Sequence, residues 1–260
     1  MSDVTSRRKL IRAGLGAAAG AAGLATAGHL ISKYGMIPPD HYGPYGIGQT
    51  LTYAAHRILM PKQTLAREFD RSQISTIASV NGLPPATDDY KRMAADGFAD
   101  WRLTVDGMVA RPLTLSLTDL KSFPARSHIT HQACEEGWSF IAESTGVLLS
   151  HILNLAGAHP RAKYVMFFSL PEKGSPLGKK WGSLDMEDAW HPQTLLAYGM
   201  NGQDLPLDHG APLRVRVPRQ LGFKSLKYLT RLTVTDTVKP YGKGWGSSSP
   251  ERGFSWYGGI

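Results

Sequence analysis

A second cysteine is missing from this 260-residue chain, and that absence removes several kinds of chemistry at once. With Cys134 alone there is no disulfide, no CxxC redox pair, no cysteine-rich zinc site and no CxxCH attachment point for a c-type haem. HExxH is absent too, so a complete metal centre built only from protein ligands has no support in the sequence. No apolar run is comfortable as a membrane span, because the Ala/Gly stretch near the N-terminus is short and glycine-rich. The chain also lacks internal repeats, sustained strand–helix alternation and any nucleic-acid motif with basic and aromatic residues interleaved on a helix. DNA or RNA is therefore not an expected partner, despite a formal charge of +8.

What is present begins at the N-terminus. Ser6-Arg7-Arg8-Lys9-Leu10 precedes a weakly hydrophobic run that closes on Ala25-Thr26-Ala27, the small-residue form of a signal-peptidase site. This pattern predicts a twin-arginine export signal over 1–27, an address read by a receptor, and a periplasmic protein. Kept uncut, the leader would act as an N-terminal anchor. The GLGAAAG stretch within it lacks the G-x-G-x-x-G spacing of a dinucleotide site. Cleavage would remove Arg7, Arg8, Lys9 and Arg12, so much of the basic excess belongs to the leader. Residues 28–80 are rich in Gly, Pro and Tyr and read as an irregular connector with short helices: a helical stretch at LTYAAHRILM and a further helical turn at LAREFDRSQIS. The body, 81–260, is long enough for a substantial core.

Within that body WRLTVDGMV alternates and turns at Asp106-Gly107, and LTLSLTDLKSF reads as a strand entering a helix capped by Ser116 or Thr118. GVLLSHILNLAG is helical and ends on glycine. AKYVMFFSL, PLRVRVP and LKYLTRLTVTD are strands, whereas DAWHPQTLLAYGMNG is expected as a helix or an irregular turn. The fold class is α+β, with a strand-rich mixed sheet.

Two constellations carry chemistry. In HQACEEGW an unpaired thiol would be a liability after export, and it has three readings: a small buried hydrophobe, a nucleophile served by His128, His131 or His209, or a soft ligand to a metal whose other ligands are not protein. In HGAPLRVRVPRQLGFKSLK, the residues His209, Arg214, Arg216, Arg219, Lys224 and Lys227 fall beside Ser225 and two glycines. Guanidinium forks, ammonium charges and close backbone approach suit a phosphate, and the plain alternative is a solvated basic edge strand.

These segments in this order, with WRLTVDGMVARPLTLSLTDL, CEEGWS, TGVLLSHIL, HPQTLLAYGMNGQDLPLDHGAPLRVRVP and GFKSLK, resemble the sulfite oxidase family of molybdopterin enzymes. Within it they look like the exported bacterial branch that includes the periplasmic methionine sulfoxide reductase catalytic subunit. The resemblance implies a strand-rich α+β fold around molybdenum held by a pyranopterin dithiolene and one cysteine, which Cys134 matches. It implies that His209, Arg214 and Lys227 surround the pterin and its phosphate, with Lys224 and Ser225 sharing that role. Asn81 matches an asparagine near the metal, and Glu136 a carboxylate able to accept or deliver a proton.

The departures bear on substrate. Sulfite oxidases of the family follow the cysteine with glycine, asparagine and arginines that help bind the anion, whereas here Glu135-Glu136-Gly137-Trp138 stands in their place. Ser144-Thr145 and Trp181-Gly182 differ from the family as well. A carboxylate beside the metal repels a dianion. The expected activity is two-electron oxygen-atom transfer, as reduction of a small or protein-bound S- or N-oxide such as methionine sulfoxide. Sulfite-type oxidation is the alternative, with a Cys-His hydrolase or a non-catalytic anion binder more remote. No haem is expected in this chain, so electrons would come from a separate haem protein or cytochrome.

Overall fold

Alternation builds the first sheet. In Arg102–Gly107 (β1), Leu103 and Val105 face inward while Arg102 and Asp106 look out, the two-residue period of a half-buried strand. The computed structural model describes residues 37–60, 62–171 and 179–260. The predicted export signal lies outside the described residues. Strand β1 pairs antiparallel with Leu113–Ser116 (β2) and parallel with Leu229–Thr235 (β10). Beyond β10 lie Tyr164–Pro171 (β5) and Lys179–Asp185 (β6), giving the order β2-β1-β10-β5-β6. The second sheet runs Ala125–Ala133 (β3), Ser139–Leu148 (β4), Leu195–Met200 (β7) and Gln203–Asp204 (β8), with Arg214–Arg216 (β9) also paired to β7. One core cluster draws Leu103, Val105, Phe167 and Leu232 from the first sheet and Val147, Leu196 and Val215 from the second. The expected strand-rich α+β architecture is what the chain adopts.

Helices are short and mostly capped as their sequences direct. They are Gly46–Leu59 (α1), Asp88–Ala95 (α2), Leu117–Ser122 (α3), Leu149–Ala156 (α4) and Met186–Ala189 (α5). Ser116 caps α3: its Oγ accepts from the Asp119 backbone N–H, and the Asp119 carboxylate accepts in return from the Ser116 N–H. Helix α4 ends on Gly157 at φ 67°, the left-handed stop that its sequence predicts. No helix among the described residues is long and apolar enough to cross a membrane.

One expectation is corrected. The segment expected as a helix or irregular turn around LLAYGM is strand β7, buried at all six positions, and a continuous apolar run carries no period with which to distinguish the two. LAREFDRSQIS supplies its helical turn as a 3-10 turn at Arg71–Gln73, while the stretch before it is extended and bonds to the second sheet through Phe69 N–H to Ile129 O. The plain alternative of a solvated basic edge does not hold for β9, where Arg214 and Arg216 are 7% and 3% exposed. Strands β3 and β4, whose polar residues hide their alternation, have no counterpart in the sequence reading.

Candidate active site

Cys134 sits where β3 ends. A tight turn carries the chain into β4: the Cys134 N–H donates to Trp138 O at 2.9 Å and the Gly137 N–H to Cys134 O at 3.1 Å. Gly137, at φ 92°, takes the left-handed backbone that this turn requires. The turn aims Cys134, Glu135, Glu136 and Trp138 into a cleft enclosing about 180 Å³. Facing them are Asn81, then Asp208, His209 and Arg214, and then Gly222, Phe223, Ser225 and Lys227. Gly222 brings its turn against the end of β3, for a Cβ there would lie 3.3 Å from Ala133 O.

The sequence-predicted residues converge with one exception. Glu136 accepts from Asn81 Nδ2 at 3.1 Å through one oxygen and from Trp138 Nε1 at 2.9 Å through the other. Lys227 Nζ donates to Asn81 O at 2.6 Å and Asp208 O at 3.0 Å, tying segment 79–81 to the basic wall. Arg214 donates to His209 O and Ser225 O, both at 2.9 Å. Ser225 Oγ in turn accepts from the Val217 N–H, so this wall is braced from behind. Burial, followed by the charges of Arg214 and Lys227, holds the His209 imidazole down to about 4, so at neutral pH it is uncharged.

The exception is Lys224. The sequence groups it with Lys227 at the anion, but the turn Gly222–Lys224 directs its side chain to the opposite side. There Nζ donates to Ser183 O and Trp256 O, each at 2.7 Å, over the Trp256 ring. It holds the C-terminal segment and does not line the cleft.

The lining also includes residues the sequence reading did not single out: Ser79, Gln132, Lys180 and, from the C-terminal stretch, Ser248, Ser249, Arg252 and Phe254. No local motif marks them, because they arrive only through tertiary folding. Among the proposed histidine partners of Cys134, His128 is bonded to Glu68 at 2.9 Å and His131 is exposed. The Cys134 thiol instead donates to Glu135 at 3.5 Å. Burial pushes the thiol pKa up, offset in part by the Glu136 backbone N–H, and the Glu135 charge adds to the rise. This is the opposite of the His-activated thiolate that a Cys-His hydrolase needs.

The donor set fits a molybdenum–pterin group. Among the described residues no cluster of three or more His, Cys, Asp or Glu side chains could hold a metal unaided. One buried sulfur and an adjoining wall of guanidinium, ammonium and side-chain-free glycine suit a metal whose remaining ligands belong to an anionic organic group.

Comparison with known proteins agrees. The family model described as "Oxidoreductase molybdopterin binding domain" matches residues 90–241. A putative protein-methionine-sulfoxide reductase subunit, YedZ1, of Azospira oryzae is 36% identical over 161 residues, covering 62% of this chain and 56% of that protein. The protein-methionine-sulfoxide reductase catalytic subunit MsrP of Ralstonia nicotianae is 36% identical over 164 residues, covering 59% of this chain and 49% of the relative. The chain thus spans about half the length of these curated relatives. Among solved structures, the sulfane dehydrogenase SoxCD of Paracoccus pantotrophus aligns with a TM-score of 0.48 at 26% identity, over 54% of this chain and 39% of that one. A family match across residues 90–241 that takes in Cys134 and the basic wall places the chain in the oxidoreductase molybdopterin-binding domain family, to which it belongs.

Proposed function

We propose that this chain is an exported molybdopterin oxidoreductase that reduces a sulfoxide, with methionine sulfoxide, named in its relatives, as the leading substrate class. The observation that carries the reading is Glu136 held beside Cys134 by Asn81 and Trp138. When bound, the molybdenum–molybdopterin group supplies a two-electron centre for oxygen-atom transfer. Cys134 would give that group its protein sulfur, while Arg214, Lys227 and the Gly222 backbone would hold its anionic end.

The remaining chemistry belongs to the side chains. Reducing a sulfoxide to a sulfide takes two electrons and two protons and releases water. Glu136, fixed by two N–H donors at the cleft surface, is placed to relay those protons. Glu135 and Glu136 repel sulfite or another dianion but not a neutral sulfoxide. Trp138, Trp181, Phe223 and Phe254 offer apolar walls to its alkyl groups. The electrons would enter from a separate haem-bearing donor after twin-arginine export to the periplasm.

The test is steady-state turnover of the purified exported protein. With reduced dye as donor, sulfoxides are consumed and sulfite with a one-electron acceptor is not. Turnover of sulfite in preference to every sulfoxide and N-oxide overturns the reading.

A further inference from the structure

Arg216 is a buried charge with an incomplete set of partners. Only 3% of the residue is exposed, and its Nη2 donates to Thr130 Oγ1 at 3.1 Å and His131 O at 2.7 Å. Its Nη1 is buried with no hydrogen-bond partner among the described residues. No carboxylate forms an ion pair with Arg216 among the described residues, and the charge that bears on it is a second guanidinium, that of Arg214. Burial and this like charge together push its pKa down to about 9.

Such a group has three ways out. A lysine would shed its proton, but a guanidinium keeps its charge at any physiological pH. Water would complete the hydrogen bonds and leave the charge uncompensated in a low-dielectric interior, which is costly. An anion satisfies both.

Arg216 lines a second, smaller cavity beside the cleft, with Arg214, Thr130, Gln132 and Ser144 among its walls. The space open to a guest's centre is about 10 Å³, which suits one small guest. Gln132 and Arg214 line both cavities, so this one adjoins the cleft.

We propose that this cavity is a halide site, binding one chloride against Arg216 with Thr130, Gln132 and Ser144 as further donors. The ion neutralises β9 from behind and so fixes the strand that carries Arg214 into the active-site cleft. The site is separate from the redox chemistry and stands whether or not the sulfoxide reading does.

The experiment is anomalous diffraction from crystals of the full exported holoprotein grown with bromide. It is paired with melting curves in which chloride replaces gluconate at constant ionic strength. A bromide peak within hydrogen-bonding distance of Arg216 Nη1 is expected. So is a rise of about 2–4 °C in melting temperature once chloride exceeds its dissociation constant several-fold, a rise lost in Arg216→Met. Absence of bromide from the cavity, a cofactor phosphate at Nη1, or an unchanged chloride response in Arg216→Met each overturns the proposal. If the variant does not fold, the wild-type diffraction decides alone.

Discussion

At Cys134 the protein withholds the thiolate rather than making it. Burial leads the rise in pKa, and Glu135 reinforces it, so a bound cation is what would draw the proton off. Cys134→Ala is expected to lose nearly all molybdenum, with Cys134→Ser retaining a fraction, measured as metal per chain. Glu136→Gln keeps the side chain's size and one of its two accepted hydrogen bonds, and removes the proton relay. Turnover should fall about 10²-fold with molybdenum content unchanged, measured by dye-linked kinetics beside metal analysis. Legibility at this scale was uneven. Cys134, Glu136, Asn81, His209, Arg214, Ser225 and Lys227 meet in one cleft, because motif spacing survives folding when the segments are rigid turns and strands. Lys224 and Lys227 are three positions apart yet bond to different partners, since Lys224 closes a 3-10 turn that Lys227 lies beyond, and sequence spacing does not show this.

Helix α1 owes its place to charge. Arg57 reaches Asp185, Glu187 and Asp188 at 2.6, 2.9 and 2.7 Å, and Tyr53 Oη donates to Asp185 at 2.6 Å. Taking away the guanidinium leaves those carboxylates facing one another with little water. Arg57→Ala should therefore cost about 3–5 kcal/mol in urea unfolding, and Arg57→Lys should restore only part because one ammonium cannot fork across three acids. Lys224 gives this region a pH signature. Burial outweighs Asp185, Asp188 and Asp40 and lowers its pKa from 10.5 to about 7. In that window the unfolded chain holds the extra proton, so stability rises with pH between about 7 and 10, by up to roughly 1.4 kcal/mol per pH unit. Lys224→Met should flatten the slope in unfolding curves taken across that range. A strand with clean alternation, such as β1, was legible at this scale. The buried run of β7 and the polar faces of β3 and β4 were not, for their periodicity is erased by burial on both sides or by ion pairs such as Arg71 with Glu143.

Across the whole molecule, the two sheets meet over one core and the cleft is walled by segments from residue 79 to residue 254. The fold class could be read from strand content. The C-terminal wall could not, because Ser248, Ser249, Arg252 and Phe254 form no motif and reach the cleft only through long-range contacts such as the Trp256 N–H to Asp40 at 2.7 Å. On the proposed export route, replacing Arg7 and Arg8 together by lysine should leave folded, molybdenum-loaded protein in the cytoplasm, read out by fractionation. The parallel pairing of β1 with β10 sets a clock on that route. Trp101 donates to Leu229 O across 128 positions, and the core of the first sheet cannot close until that far partner has been synthesised. At ribosomal speeds the wait is roughly 6–25 s, during which Cys134 is made early and the basic wall follows only at its end, so no finished cleft exists before the wait is over. Whatever delivers the pterin must therefore arrive late, to a chain already released or nearly so, and the interval before the exporter takes hold becomes the enzyme's loading time.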